Sequence, residues 1–153
     1  MNEVQSKNYL HARQGTKLDV GIDYVVWAYS GSVVYARSGS IVYAYKGSRV
    51  YAYDGSIVYA YEGSEVLAAG TAVVNVAEYG AYVEGGDRTT LRLGCGVTAL
   101  VKARANVHLQ DAHLVTLGSG SPGRSLSVVC RAGSIVYGGI GNTLYVERGA
   151  IYY

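Results

Sequence analysis

A glycine returns every eight residues along the first half of this chain, at Gly31, Gly39, Gly47, Gly55 and Gly63. Serine follows each one, at Ser32, Ser40, Ser48, Ser56 and Ser64. Val34, Val42, Val50, Val58 and Val66 share one further place, and Ala28, Ala36, Ala44, Ala52, Ala60 and Ala68 share another. A fixed short period is the mark of a repeat architecture. One unit cannot bury its own apolar face, so it must stack on its neighbours.

Within a unit the order is Gly-Ser-x-Val-Tyr-Ala-Tyr-x. Valine and tyrosine favour strands, and the small residues alternate with the large ones. A strand sends successive side chains to opposite faces. Serine, valine and alanine therefore share the inner face, and the variable residue and both aromatics share the outer one. The last residue of one unit and the glycine of the next supply a turn, where a positive φ favours glycine. An antiparallel meander would not stack identical units like on like, whereas a parallel coil does. The spacing predicts an all-β fold, a parallel β-solenoid (β-helix) with two octads, about sixteen residues, per coil, and about nine coils stacking into a rod near 45 Å long.

Alternate octads then lie on opposite walls. One wall collects Val25, Trp27, Tyr29, Ile41, Tyr43, Tyr45, Ile57, Tyr59 and Tyr61, with no charge among them. Such a contiguous apolar patch exceeds what a soluble monomer ordinarily exposes, which predicts that it is buried in a symmetric homodimer. The other wall holds Val33, Tyr35, Arg37, Arg49, Tyr51, Tyr53, Glu65, Leu67 and Ala69. Its Tyr35, Arg37, Arg49, Tyr51 and Tyr53 have the tyrosine-plus-arginine makeup of interface hot spots and are the expected partner-binding residues.

The whole chain, 1–153, reads as one solenoid domain. Residues 1–21 are polar and fit no octad, and are expected to cap the first coil. Residues 22–69 are regular octads. Residues 70–124 are expected to form irregular coils broken by loops at 85–88 and 118–125, and residues 125–153 return to register. Cys130 falls at the alanine place and is expected in the core as a small hydrophobe. The apolar ending Ala150-Ile151-Tyr152-Tyr153 is expected to be covered as well, since an open solenoid end exposes unpaired backbone.

Chemistry is scarce. Thirteen Lys and Arg against eleven Asp and Glu give a formal charge of +2. That is too mild to argue for nucleic acid by charge, and nucleic acid is not expected as a partner. His108, Asp111 and His113 match no tight metal signature, and GSGSPG at 118–123 lacks the lysine of a P-loop. No nucleophile, base and orienting acid group together. The reading is a non-enzyme with no cofactor and no metal. The start MNEVQSKNYLHARQG has no basic-then-apolar leader, no transmembrane span is read, and Cys95 and Cys130 form no CxxC pair. The expected location is therefore cytoplasmic, and no membrane partner is expected.

The run GSVVYARSGSIVYAYKGSRVYAYDGSIVYAYEGS resembles octapeptide-repeat β-solenoid proteins of bacterial and phage genomes. It is more distantly similar to the sixteen-residue coils of ice-nucleation proteins. The likeness covers Val26 to Ala69, with an echo at Gly133–Tyr153. The flat Thr-x-Thr ladders of ice-binding relatives are missing, so ice binding is not expected. What the resemblance implies is a mobile-element or phage accessory protein in a bacterial host, one that inhibits a host defence system in anti-CRISPR fashion by occupying a host protein or complex. Two other classes stand beside it. One is a carbohydrate- or surface-binding module of tail-spike or adhesin type. The other is a solenoid enzyme with a loop-borne site near Asp87, Arg88, His108, Asp111 and His113.

Overall fold

The structure, a computed structural model, describes residues 6–76, 81–86 and 88–92 in full, and from residue 93 onward the backbone of the strands. Every regular element among the described residues is a β-strand. The first ten are β1 Asn8–Ala12, β2 Lys17–Val20, β3 Tyr24–Ala28, β4 Val33–Ala36, β5 Ile41–Ala44, β6 Arg49–Ala52, β7 Ile57–Ala60, β8 Glu65–Ala68, β9 Val73–Val76 and β10 Tyr82–Gly85. The chain continues through β11 Thr90–Leu93, β12 Thr98–Val101, β13 Asn106–Leu109, β14 Thr116–Leu117, β15 Ser127–Cys130, β16 Ile135–Val136, β17 Thr143–Val146 and β18 Ile151–Tyr152.

Odd-numbered strands β1 to β17 lie side by side in one sheet, even-numbered strands β2 to β14 in a second, and β16 pairs with β18. All neighbours are parallel and in register, as in Val25↔Ile41↔Ile57 and Val34↔Val50↔Val66. Consecutive strands go to opposite sheets, and from β1 through β7 each strand pairs with the one sixteen residues on. The fold is a parallel β-solenoid with two octads per coil, and parallel pairing excludes the meander.

The corners explain the glycine-serine pair. In Tyr45-Lys46-Gly47-Ser48 the Ser48 amide donates to the Tyr45 carbonyl at 2.9 Å, and Gly47 has φ +76°. A positive φ at the third residue is what a type II turn requires. The Ser48 hydroxyl donates to the same carbonyl at 2.6 Å. Ser32, Ser40, Ser56 and Ser64 repeat this bond, so each buried hydroxyl meets its acceptor within its own turn. Corners are also tied to one another, since the Gly31 amide donates to the Gly47 carbonyl and the Gly47 amide to that of Gly63, at 2.9 and 2.8 Å.

The inner face is as the pattern requires. Val26, Val34, Val42, Val50, Val58 and Val66 are fully buried, with Ala28, Ala36, Ala44, Ala52 and Ala60 beside them. Side chains this small fill a thin core between two close sheets, and the tyrosines have no room there.

One stretch departs from expectation. Residues 1–21, expected as a cap outside the octads, contain β1 and β2. Asn8–Ala12 pairs with Tyr24–Ala28, and Lys17–Val20 with Val33–Ala36. Asp23, the corner between β2 and β3, takes the left-handed φ of +66° that glycine holds elsewhere. Past residue 70, where further strands in longer, less regular coils are expected, strands do continue to alternate between the two sheets. Glu65 pairs with Tyr82 and Val73 with Thr90, one residue more than the standard step, after which Tyr82↔Thr98 and Thr90↔Asn106 restore it. Arg88 stands at a glycine corner with φ +63°, and Thr89 and Leu91 are buried at the serine and valine places. A longer step separates Asn106 from Ser127. Cys130 lies on β15 beside Leu109 and Val146, but its side chain and the loop 118–125 lie outside the described residues.

Candidate functional site

Parallel register places identical residues about one strand spacing apart, so side chains on the outer walls form columns. On the odd-strand wall, His11, Trp27, Tyr43 and Tyr59 stack in one column, with ring centroids 5.0, 5.7 and 5.1 Å apart and interplanar angles of 13–15°. Tyr29, Tyr45 and Tyr61 form a second, at 5.3 and 4.9 Å. Val25, Ile41, Ile57 and Val73 make the aliphatic column beside them. Of the nine residues expected on this face, Val25 alone is buried, at 6% exposure. Tyr9 and His11 also belong to the wall, on β1 within the residues expected as a cap. Tyr9 stacks on Trp27, and the Tyr29 hydroxyl lies 3.4 Å from Nδ1 of His11.

Stacking crowds the phenols. Burial, followed by the neighbouring Tyr61, Tyr29 and Tyr43, raises the pKa of Tyr45 above its ordinary value. A raised folded pKa favours the neutral phenol in the native state. That contribution is complete below the free tyrosine pKa of about 10 and is lost as pH climbs through the folded value. In an absorbance titration, part of the tyrosinate signal of the native protein is expected to appear at higher pH than in urea-unfolded chain, with stability falling on the alkaline side. Superimposable titration curves would remove the basis for this expectation.

The even-strand wall differs in kind. Tyr35 stacks on Tyr51 at 5.0 Å. Arg37 donates Nε and Nη2 to the two carboxylate oxygens of Asp19, both at 2.9 Å, and its guanidinium lies 4.5 Å over the ring of Tyr53. Arg49 reaches Glu65 at 2.8–2.9 Å. The five expected partner-binding residues therefore do share one wall, but both arginines are already held by carboxylates. Asp19, assigned to the cap by sequence, is the ligand that reasoning missed, and register would have revealed it once β2 was recognised opposite β4. The hydrogen bond from Arg37 lowers the pKa of Asp19 and raises that of Arg37, and Glu65 does the same for Arg49. Pairs this exposed orient side chains more than they stabilise the fold. Alongside Arg49 and Glu65, the corner Gly31, Gly47 and Gly63 lines a shallow open groove.

Other expected chemistry cannot be placed. Asp87, Asp111 and His113 lie outside the described residues, and for His108 only the backbone on β13 is described. Arg88 sits exposed at its corner. Among the described residues no group of three or more His, Cys, Asp or Glu side chains is close enough to hold a metal, and no helix is long and apolar enough to cross a membrane. Comparison with protein-family models, with curated proteins and with solved structures gives no match.

Proposed function

We propose that this chain is a non-enzymatic binding protein that occupies a partner protein's surface through its even-strand wall. The observation that carries the reading is the fixed geometry of Arg37 and Arg49. Each is about half exposed, with 51% of its side-chain surface accessible, yet a carboxylate already sets its direction. An arginine has five N–H donors, and Arg37 gives two of them to Asp19. Tyr35 and Tyr51 are locked by stacking. Side chains ordered before contact lose less entropy on binding. The wall thus combines pre-set tyrosines, oriented cations and a groove, the makeup of an interface centre.

The resemblance to phage-type octapeptide solenoids supplies the specific form of this reading: steric occupation of a complex in a bacterial host, such as a defence system. The sugar-binding alternative fits the rings less well. A sugar packs on the flat face of an aromatic ring, and within these columns the faces are spent on one another.

The test is affinity capture from candidate host lysates with three baits. Wild type and a Tyr43→Ala control on the opposite wall are expected to retain the same partner in stoichiometric amount. A combined Arg37→Ala, Arg49→Ala, Tyr51→Ala bait is expected to lose it. No stoichiometric partner, or one that all three baits hold equally, overturns the reading.

A further inference from the structure

The odd-strand wall is independent of the surface just discussed. It is ridged in two directions. Its columns run along the solenoid axis about 6.6 Å apart, two residues of extended strand, and beads within a column repeat at 4.9–5.7 Å. It carries no carboxylate among the described residues, and its cationic and imidazole groups sit at the margins, with His11 and Arg13 in the first coil and Arg92 on β11. A surface that repeats at strand spacing is complemented best by ridges with the same two periods. Face-to-face sheets that interdigitate like this form the dry interface of a steric zipper, with backbones about 10 Å apart. The surface of this molecule with those periods and no opposing charge is this wall itself.

We infer that a second copy of this chain covers the odd-strand wall, in a reversible two-fold dimer centred on Trp27, Ile41, Tyr43, Tyr45, Ile57 and Tyr59. A two-fold axis lying in the interface keeps the columns of both copies parallel and seats the ridges of each in the furrows of the other.

The size of the wall argues for a weak dimer. The five described coils of the wall, β1 to β9, span roughly 24 Å by 16 Å, about 400 Å² from each copy. Both copies together contribute about 800 Å², below the 1,200–2,000 Å² of stable interfaces. The dissociation constant therefore falls between about 1 µM and 1 mM. The sign of the salt effect follows as well. The central contact is uncharged, so added salt leaves the dimer unchanged or strengthens it.

Sedimentation velocity on the full chain, from about 1 µM to about 1 mM, tests this. The sedimentation coefficient is expected to rise with concentration toward the dimer value, at low and at high sodium chloride. Tyr43→Lys is expected to shift the midpoint at least tenfold toward higher concentration, and Tyr51→Lys, an equivalent change on the opposite wall, to leave it in place. A coefficient independent of concentration, dissociation by salt, or equal shifts from both variants would each overturn the inference. Should Tyr43→Lys not fold, hydroxyl-radical footprinting of wild type decides. Concentration-dependent protection of Trp27, Tyr43 and Tyr59 supports the dimer, and protection of Tyr35 and Tyr51 instead overturns it.

Discussion

Val50→Asp is expected to remove most of the stability of the fold at neutral pH, on the order of 4 kcal/mol or more. Val50 is fully buried between Val34 and Val66 of the adjacent coils. Every hydroxyl nearby already donates to its own turn, so a carboxylate there would find neither cation nor donor. It would be protonated to remain inside, and the damage should lessen as pH falls. The comparison variant is Val33→Asp, on β4 one residue before Val34, the register partner of Val50, with its side chain on the outer wall. Urea melts should show a large loss for Val50→Asp and a change within about 1 kcal/mol for Val33→Asp. Similar losses for the two would mean that valine and alanine do not form the inside of the solenoid.

That inside was legible because the repeat prints it many times over. The inward places at serine, valine and alanine, two strands per coil and the parallel stack all follow from period and alternation alone. What period could not show is where another residue takes over the corner. Asp23 and Arg88 accept the left-handed φ that glycine would hold and so interrupt the printed period, although Val26, Ala28, Thr89 and Leu91 beside them are buried at the places the rule assigns. The outer walls were legible as sets of residues but not as interactions. Tyr35, Arg37, Arg49, Tyr51 and Tyr53 were grouped correctly on one wall. That Asp19 clamps Arg37 is a contact between coils, visible only once Lys17–Val20 is placed beside Val33–Ala36. Nor does spacing reveal that stacking consumes the ring faces, which follows from ring orientation and weighs on the choice between sugar and protein as ligand.

Corner glycines separate two effects that sequence treats as one. Gly15 and Gly39 have nearly the same backbone, with φ +78° and +79°. Gly15 lies in the first described corner of its column, and an added Cβ there would meet nothing within 4 Å. At Gly39 the same atom would come 2.8 Å from Cγ1, 3.0 Å from Cα and 3.2 Å from Cβ of Ile22, in the corner of the preceding coil. The Cα belongs to backbone fixed by the stack, so the clash cannot be relieved by a rotamer change. Gly15→Ala therefore carries the left-handed penalty alone, about 1–2 kcal/mol. Gly39→Ala adds steric overpacking between coils, for a total of roughly 3 kcal/mol. Thermal melts of the two variants should differ clearly, with Gly39→Ala the lower. Equal melting points would show that coil-to-coil contact does not limit the corner, and glycine would then recur for its φ alone. The expected difference makes the period of eight a packing requirement as well as a conformational one, because each corner must lie flat against the corner before it.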